Sequence, residues 1–252
     1  MKVNKKLEKE EFLSKEWFVS NAKTIFYAIV IALIIRTFFF QPFFIPSSSM
    51  EPTLLVGDRI FVSKYTYGFS RHSFPFSIPI LSKRVFFHEP QRGDVVVFKT
   101  PDKKKIDYIK RLVGTPGDTI QMVNGKLFIN DQEIKNKKIR IDEKILKNGR
   151  KVELNVLQES FDNGNTYETY SYYNDGPADN TEKHIVPEGY YYMLGDNRDN
   201  SKDSRFIGPI PRDHLVGKAQ IIFFSTENGS TIFEFWKWPF GIQYKRLLNF
   251  IN

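Results

Sequence analysis

Three serines stand in a row in Ile45-Pro46-Ser47-Ser48-Ser49-Met50-Glu51-Pro52-Thr53-Leu54, and the next histidine along the chain is His72. A serine attacks a peptide carbonyl only when a base removes its proton and donors hold the resulting oxyanion. The best-placed base is Lys110, within the strand-like run Asp107-Tyr108-Ile109-Lys110-Arg111-Leu112-Val113. Lysine serves as a base only when neutral, so its ordinary pKa near ~10.4 must be lowered, and an apolar, buried setting does this. On a strand Tyr108, Lys110 and Leu112 share one face while Ile109, Arg111 and Val113 share the other. Lys110 then keeps apolar company and Arg111 points away. A serine and a lysine beside a long apolar segment point to hydrolysis of peptides presented by a bilayer.

A second polar constellation lies at Gly195-Asp-Asn-Arg-Asp-Asn-Ser-Lys-Asp-Ser-Arg205. It makes a poor calcium loop, because counting from Asp199 puts Ser201 at the third ligand position and Ser204 where glycine is required. It suits a rigid turn in which Asp203 pairs with Arg205 and Ser201 serves as donor and acceptor. His72, His88, His184 and His214 lie in separate segments without metal-ligand spacing. A Ser/His/Asp triad assembled in space stays open, although the chain has no G-x-S-x-G elbow. With no cysteine, disulfides, zinc thiolate sites and thiol catalysis are excluded. No metal or cofactor is expected.

The elements that must position these groups begin with an anchor. The 252 residues have room for one sizeable globular domain plus such a segment. From Thr24 to Ile45 the chain is apolar except for Arg36, Thr37, Gln41 and Pro42. As a helix rising about 1.5 Å per residue it reaches roughly 33 Å, the thickness of a bilayer core. Arg36 lies past the middle and extends its guanidinium toward the headgroups, and Pro42 reads as the helix end. A buried core helix is disfavoured by the all-round apolar surface. A cleavable signal peptide is the other alternative, with Ser47-x-Ser49 as a small-x-small site. Cleavage there would detach Ser49, so the two readings exclude each other.

Residues 1–23 carry Lys2, Lys5, Lys6, Lys9, Lys15 and Lys23 against four glutamates. This basic tail is predicted to be cytoplasmic, which puts residues 46–252 outside. Glu8 to Phe18 reads as a short surface helix. The net charge of +8 is read as attraction to a membrane surface, since no nucleic-acid motif accompanies it.

Beyond residue 46, short β-branched and aromatic runs alternate with turn signals, among them Arg59 to Tyr65, Asp94 to Lys99 and Ala219 to Phe224. Asn124-Gly125 predicts a type I′ hairpin. The fold class is mostly β, with one N-terminal transmembrane helix. Residues 130–184, charged and weakly patterned, read as a peripheral insertion. The aromatic stretch Phe233 to Ile242 reads as core packing or as an interfacial patch.

Taken in order, Pro46 to Leu54, Arg92 to Phe98, Tyr108 to Gly114 and Gly195 to Arg205 resemble the conserved boxes of bacterial type I signal peptidase. The resemblance runs from the anchor to about Gly217 and omits the weakly patterned middle. It implies a catalytic core of coiled antiparallel β-sheets and a Ser/Lys dyad, with Ser49 the nucleophile and Lys110 the general base. The Ser49 backbone N–H and the Ser47 hydroxyl would form the oxyanion hole. Ser201 would orient the Lys110 amine, and Asp203 with Arg205 would fix the loop. Small side chains at substrate positions −1 and −3 would enter shallow pockets made by Phe43, Ile45, Met50, Leu54, Val97, Tyr108 and Ile109. The implied partners are the signal peptides of exported preproteins, the lipid bilayer and, transiently, the secretion machinery, with no nucleic acid. The implied location is the bacterial plasma (inner) membrane, single-pass, with the catalytic domain extracytoplasmic. Two features depart from the family pattern: Ser48 stands where many relatives have glycine, and one transmembrane segment is visible where some have two. Two other readings compete, a Ser/Lys protease that cleaves itself or a repressor-like partner and a non-enzymatic anchored β domain.

Overall fold

The structure, a computed structural model, describes residues 15–74, 77–102, 106–145, 149, 151–172, 176–227 and 241–251. The basic tail up to residue 14 and the aromatic residues Phe233 to Phe240 lie outside that set. The chain opens with helix α1 (Lys15–Phe38), whose segment Trp17–Phe38 is long and apolar enough to cross a membrane and is not buried against the rest of the protein.

This helix ends earlier than Pro42, the predicted stop. Strand β1 (Phe40–Phe44) follows after Phe39 and pairs antiparallel with β2 (Asp58–Ser63), bringing Pro42 opposite Phe61. Phe39 and Phe40 favour a pleated, half-buried surface, and Pro42 disfavours helical geometry at Gln41 before it. Proline is tolerated there because β1 lies at one edge of its sheet, where a missing N–H need not break the ladder.

The strands that follow are β3 (Val95–Lys99), β4 (Asp107–Gly114), β5 (Thr119–Val123), β6 (Lys126–Ile129), β7 (Gln132–Glu133), β8 (Lys135–Ile145), β9 (Lys151–Ser160) and β10 (Thr166–Ser171). After them come β11 (His184–Ile185), β12 (Tyr190–Leu194), the short helix α2 (Ser204–Ile207), β13 (Ile210–Pro211), β14 (Leu215–Ser225) and β15 (Asn249–Phe250). The main antiparallel sheet runs β1-β2-β14-β3-β4-β12-β13, with β15 added on β14. Its centre is covered on both faces, which is why β3 reads as an unbroken apolar run. Val95 and Val97 join a core with Ile45, Met50, Leu54 and Ile60, while Val96 and Phe98 join another with Tyr67, Leu112 and Tyr191. Burying each such aliphatic side chain contributes about 1.5 to 3 kcal/mol, so β3 and its neighbour β4 form a stiff platform.

Two smaller sheets attach to it. One has the order β11-β5-β6-β7, and its hairpin turn holds Asn124 at φ 49° and Gly125 at φ 74°, the paired positive values that type I′ geometry requires. The other, β10-β9-β8, lies within the stretch predicted as an insertion. Most β8 side chains are exposed, which explains the weak apolar pattern.

Candidate active site

Ser49 sits in the turn-rich segment between β1 and β2, and Lys110 at the middle of β4, opposite Val96 of β3. The fold brings them together: Lys110 Nζ lies 2.6 Å from Ser49 Oγ and donates to the Ile109 carbonyl at 2.8 Å. Only 3% of Lys110 is exposed. Burial, the largest influence, pulls its pKa down to about 8; Asp203 and Asp196 push it back up, and Arg205 lowers it. The Tyr108 ring, on the same strand face, has its centroid 5.4 Å from Nζ. At mildly alkaline pH the amine is therefore neutral in much of the population, and a neutral Nζ at this distance can accept a hydroxyl proton. Ser47 Oγ lies 3.4 Å from Ser49 Oγ.

The polar loop closes the site from behind. Asp203 accepts from the Gly195 N–H at 3.0 Å and holds Arg205 through Nε at 2.9 Å and Nη2 at 2.8 Å. Arg205 Nη2 also donates to the Arg198 carbonyl at 2.6 Å, locking the turn across its mouth. Ser201 does not reach Lys110 as expected. Its hydroxyl is buried beside Gly195 and has no hydrogen-bond partner among the described residues, while the amine is taken by Ser49 and Ile109.

A groove of about 630 Å³ runs past Ser49 and Lys110. Phe43, Ile45, Val97, Tyr108 and Ile109 line it as expected, joined by Phe44, Pro46, Ile106, Asn200 and Lys202. Met50 and Leu54 do not line it. Both are fully buried in the core with Ile45 and Val97, so they back the groove wall.

Several contributors were not singled out from sequence. Arg111 does point away from Lys110, but into the protein, where it forms a salt bridge with Asp196 at 2.8 Å, both side chains 1% exposed. Thr53 Oγ1 donates to the same carboxylate at 2.5 Å, so Asp196 ties β4 and the segment that carries Ser49 to the loop. Arg198 makes a buried two-pronged pair with Glu159 of β9, 2.6 Å for each contact. Gly195 is packed so closely that an added Cβ would lie 2.2 Å from Ser201 Oγ and 2.6 Å from the Ser49 carbonyl oxygen. Strand alternation marked Arg111 as facing opposite to Lys110, but its partner is remote in sequence.

The sequence matches the family model described as signal peptidase, peptidase S26, over residues 16–224. A signal peptidase I of Rickettsia canadensis (strain McKiel) is 39% identical over 236 residues, covering 90% of this chain and 86% of that protein. The signal peptidase I of Rickettsia conorii is 42% identical over 211 residues, covering 80% of this chain and 77% of that protein. A crystal structure of a signal peptidase I from Enterococcus faecalis V583 is 27% identical, with a TM-score of 0.32, and covers 52% of this chain and 97% of that one. With a family match across most of its length and relatives this similar over most of theirs, the chain belongs to the signal peptidase family, peptidase S26, as a membrane-anchored serine endopeptidase.

Proposed function

We propose that this protein removes N-terminal signal peptides from exported preproteins through a Ser49 acyl-enzyme, with Lys110 as general base. The observation that carries this reading is the 2.6 Å contact between Ser49 Oγ and an almost fully buried Lys110 amine. Neutral Lys110 takes the Ser49 hydroxyl proton as Oγ bonds to the scissile carbonyl carbon, and the oxyanion is held by the Ser49 N–H and the Ser47 hydroxyl. Collapse breaks the C–N bond, and protonated Lys110 returns its proton to the departing amine. Neutral again, Lys110 activates a water that cleaves the Ser49 ester and frees the signal peptide.

Substrate recognition follows from the groove, whose apolar wall of Ile45, Val97 and Ile109 suits small side chains at −1 and −3. With α1 spanning the plasma (inner) membrane and the lysine-rich tail in the cytoplasm, the catalytic domain works on the outer face, where the secretion machinery delivers its substrates. The test is incubation of the detergent-solubilised protein with a preprotein. Cleavage is expected in the wild type and absent in Ser49→Ala and Lys110→Ala, each with an unchanged melting transition. Full activity in Lys110→Ala would overturn the mechanism.

A further inference from the structure

One of the two oxyanion donors in this reading is a backbone N–H, which has no rotamer of its own to aim it. A trans peptide unit is planar, so the Ser49 N–H and the Ser48 carbonyl point in opposite directions. Whatever holds the Ser48 carbonyl therefore aims the Ser49 N–H. Asn197 does this: its Nδ2 donates to the Ser48 carbonyl at 3.0 Å. Its backbone N–H donates to the Ser49 carbonyl at 3.2 Å, so one residue grips the peptide groups before and after the nucleophile. The Ser49 N–H itself has no protein acceptor among the described residues.

Asn197 is fully buried, so water does not compete for these bonds. Its amide orientation is set by chemistry, because a carbonyl can only accept and must face nitrogen. The second Nδ2 proton goes to the Tyr172 hydroxyl at 3.1 Å. Tyr172 follows β10, and its own N–H donates to Asp199 at 2.6 Å, so the small β8-β9-β10 sheet supports the loop that supports the nucleophile. Asn200 Nδ2 adds a donor to the Ser48 hydroxyl at 2.8 Å, a contact that glycine at this position would not offer.

Building on the Ser49/Lys110 reading, we propose that Asn197 is a positioning residue that aims the Ser49 N–H at the developing oxyanion, with Tyr172 as its support. Removing an oxyanion donor outright costs roughly 100- to 1,000-fold in kcat, and a mis-aimed donor forfeits part of that. Asn197→Ala and the near-isosteric Asn197→Asp, which has no side-chain donor, are each expected to lower kcat about 10- to 100-fold. KM stays at the wild-type value in both, and the pH midpoint stays there in Asn197→Ala, because Asn197 touches neither the apolar groove wall nor Lys110; Asn197→Asp is read by its plateau kcat above the midpoint, since a carboxylate beside Asp196 raises the Lys110 pKa as Asp196 does. A loop that merely loosened would carry Asp203 and Arg205 with it and move the pH midpoint, so a shifted midpoint in Asn197→Ala overturns the proposal. So does a kcat that stays at the wild-type level in both variants.

Should the Asn197 variants lose their melting transition, Tyr172→Phe carries the test, since it keeps the Ser48 contact and removes only its support. A fall in kcat with KM and midpoint unchanged supports the proposal, and an unchanged kcat overturns it. Ser49→Ala, assayed on the same preprotein, separates the two levels. Cleavage that persists in Ser49→Ala sinks both the nucleophile assignment and the proposal, whereas Ser49-dependent cleavage with a normal kcat in the Asn197 variants sinks the proposal alone.

Discussion

If burial makes Lys110 a base, the rate must follow its neutral fraction. With a pKa of about 8 in place of 10.5, the amine is neutral in about 9% of molecules at pH 7, against about 0.03% for a fully hydrated lysine. The net shift, driven mainly by burial, is thus worth roughly 300-fold in competent enzyme at neutral pH. The assay is kcat/KM for a preprotein or fluorogenic peptide in detergent between pH 5.5 and 10, which reports the free enzyme. The logarithm should rise with unit slope below the midpoint, giving about tenfold between pH 6 and 7, and level off above about 8. A stability corollary has a fixed sign. Because the folded pKa lies below the unfolded one, stability rises as pH climbs from about 8 to about 10.5, and the excess is missing below 8. The change amounts to about 3 kcal/mol across that window, to order of magnitude. A rate that is flat or falls from pH 6 to 8 refutes the reasoning, as does a midpoint near 10.5.

Two further outcomes follow from packing and charge. Gly195→Ala drives a Cβ against Ser201 Oγ and the Ser49 carbonyl, so preprotein cleavage should fall by more than about tenfold, with about 1 to 3 kcal/mol of stability lost in a denaturant titration. Arg111→Ala strands the buried Asp196 carboxylate, which should cost about 3 to 5 kcal/mol and show as a lowered melting temperature before any catalytic defect is assigned.

The contact between Ser49 and Lys110 was legible because its demands are local: serine at the end of an apolar segment, and lysine on a strand whose alternation gives it Tyr108 and Leu112 as neighbours. The Asn124-Gly125 hairpin was legible for the same reason, since positive φ at two successive positions leaves few residue choices. The end of α1 was not. Phe38, Phe39 and Phe40 satisfy a bilayer and a sheet edge equally well, and only pairing with β2 decides between them. Met50 and Leu54 are apolar whether they line a groove or fill the core behind it, and that distinction belongs to tertiary packing. Arg111 with Asp196 and Arg198 with Glu159 join segments far apart in sequence, so no spacing announces either pair. Residues 130–184 looked peripheral because β8 exposes so much of itself, yet Glu159 and Tyr172 from that stretch brace the catalytic loop.

The junction between α1 and β1 has a mechanical consequence. Phe39 alone separates helix from strand, its N–H bonded back to Ile35 and its carbonyl accepting from Lys64 of the domain, while Phe38 packs edge-on against Phe69 and Phe74. With no slack between them, anchor and catalytic sheet move as one lever, and the groove has no leash on which to swing. Any tilt that a thicker or thinner bilayer imposes on α1 is then transmitted to the height of Ser49 above the lipid. Where α1 spans a bilayer, the scissile bond would then be set by its distance from the membrane as well as by the side chains beside it.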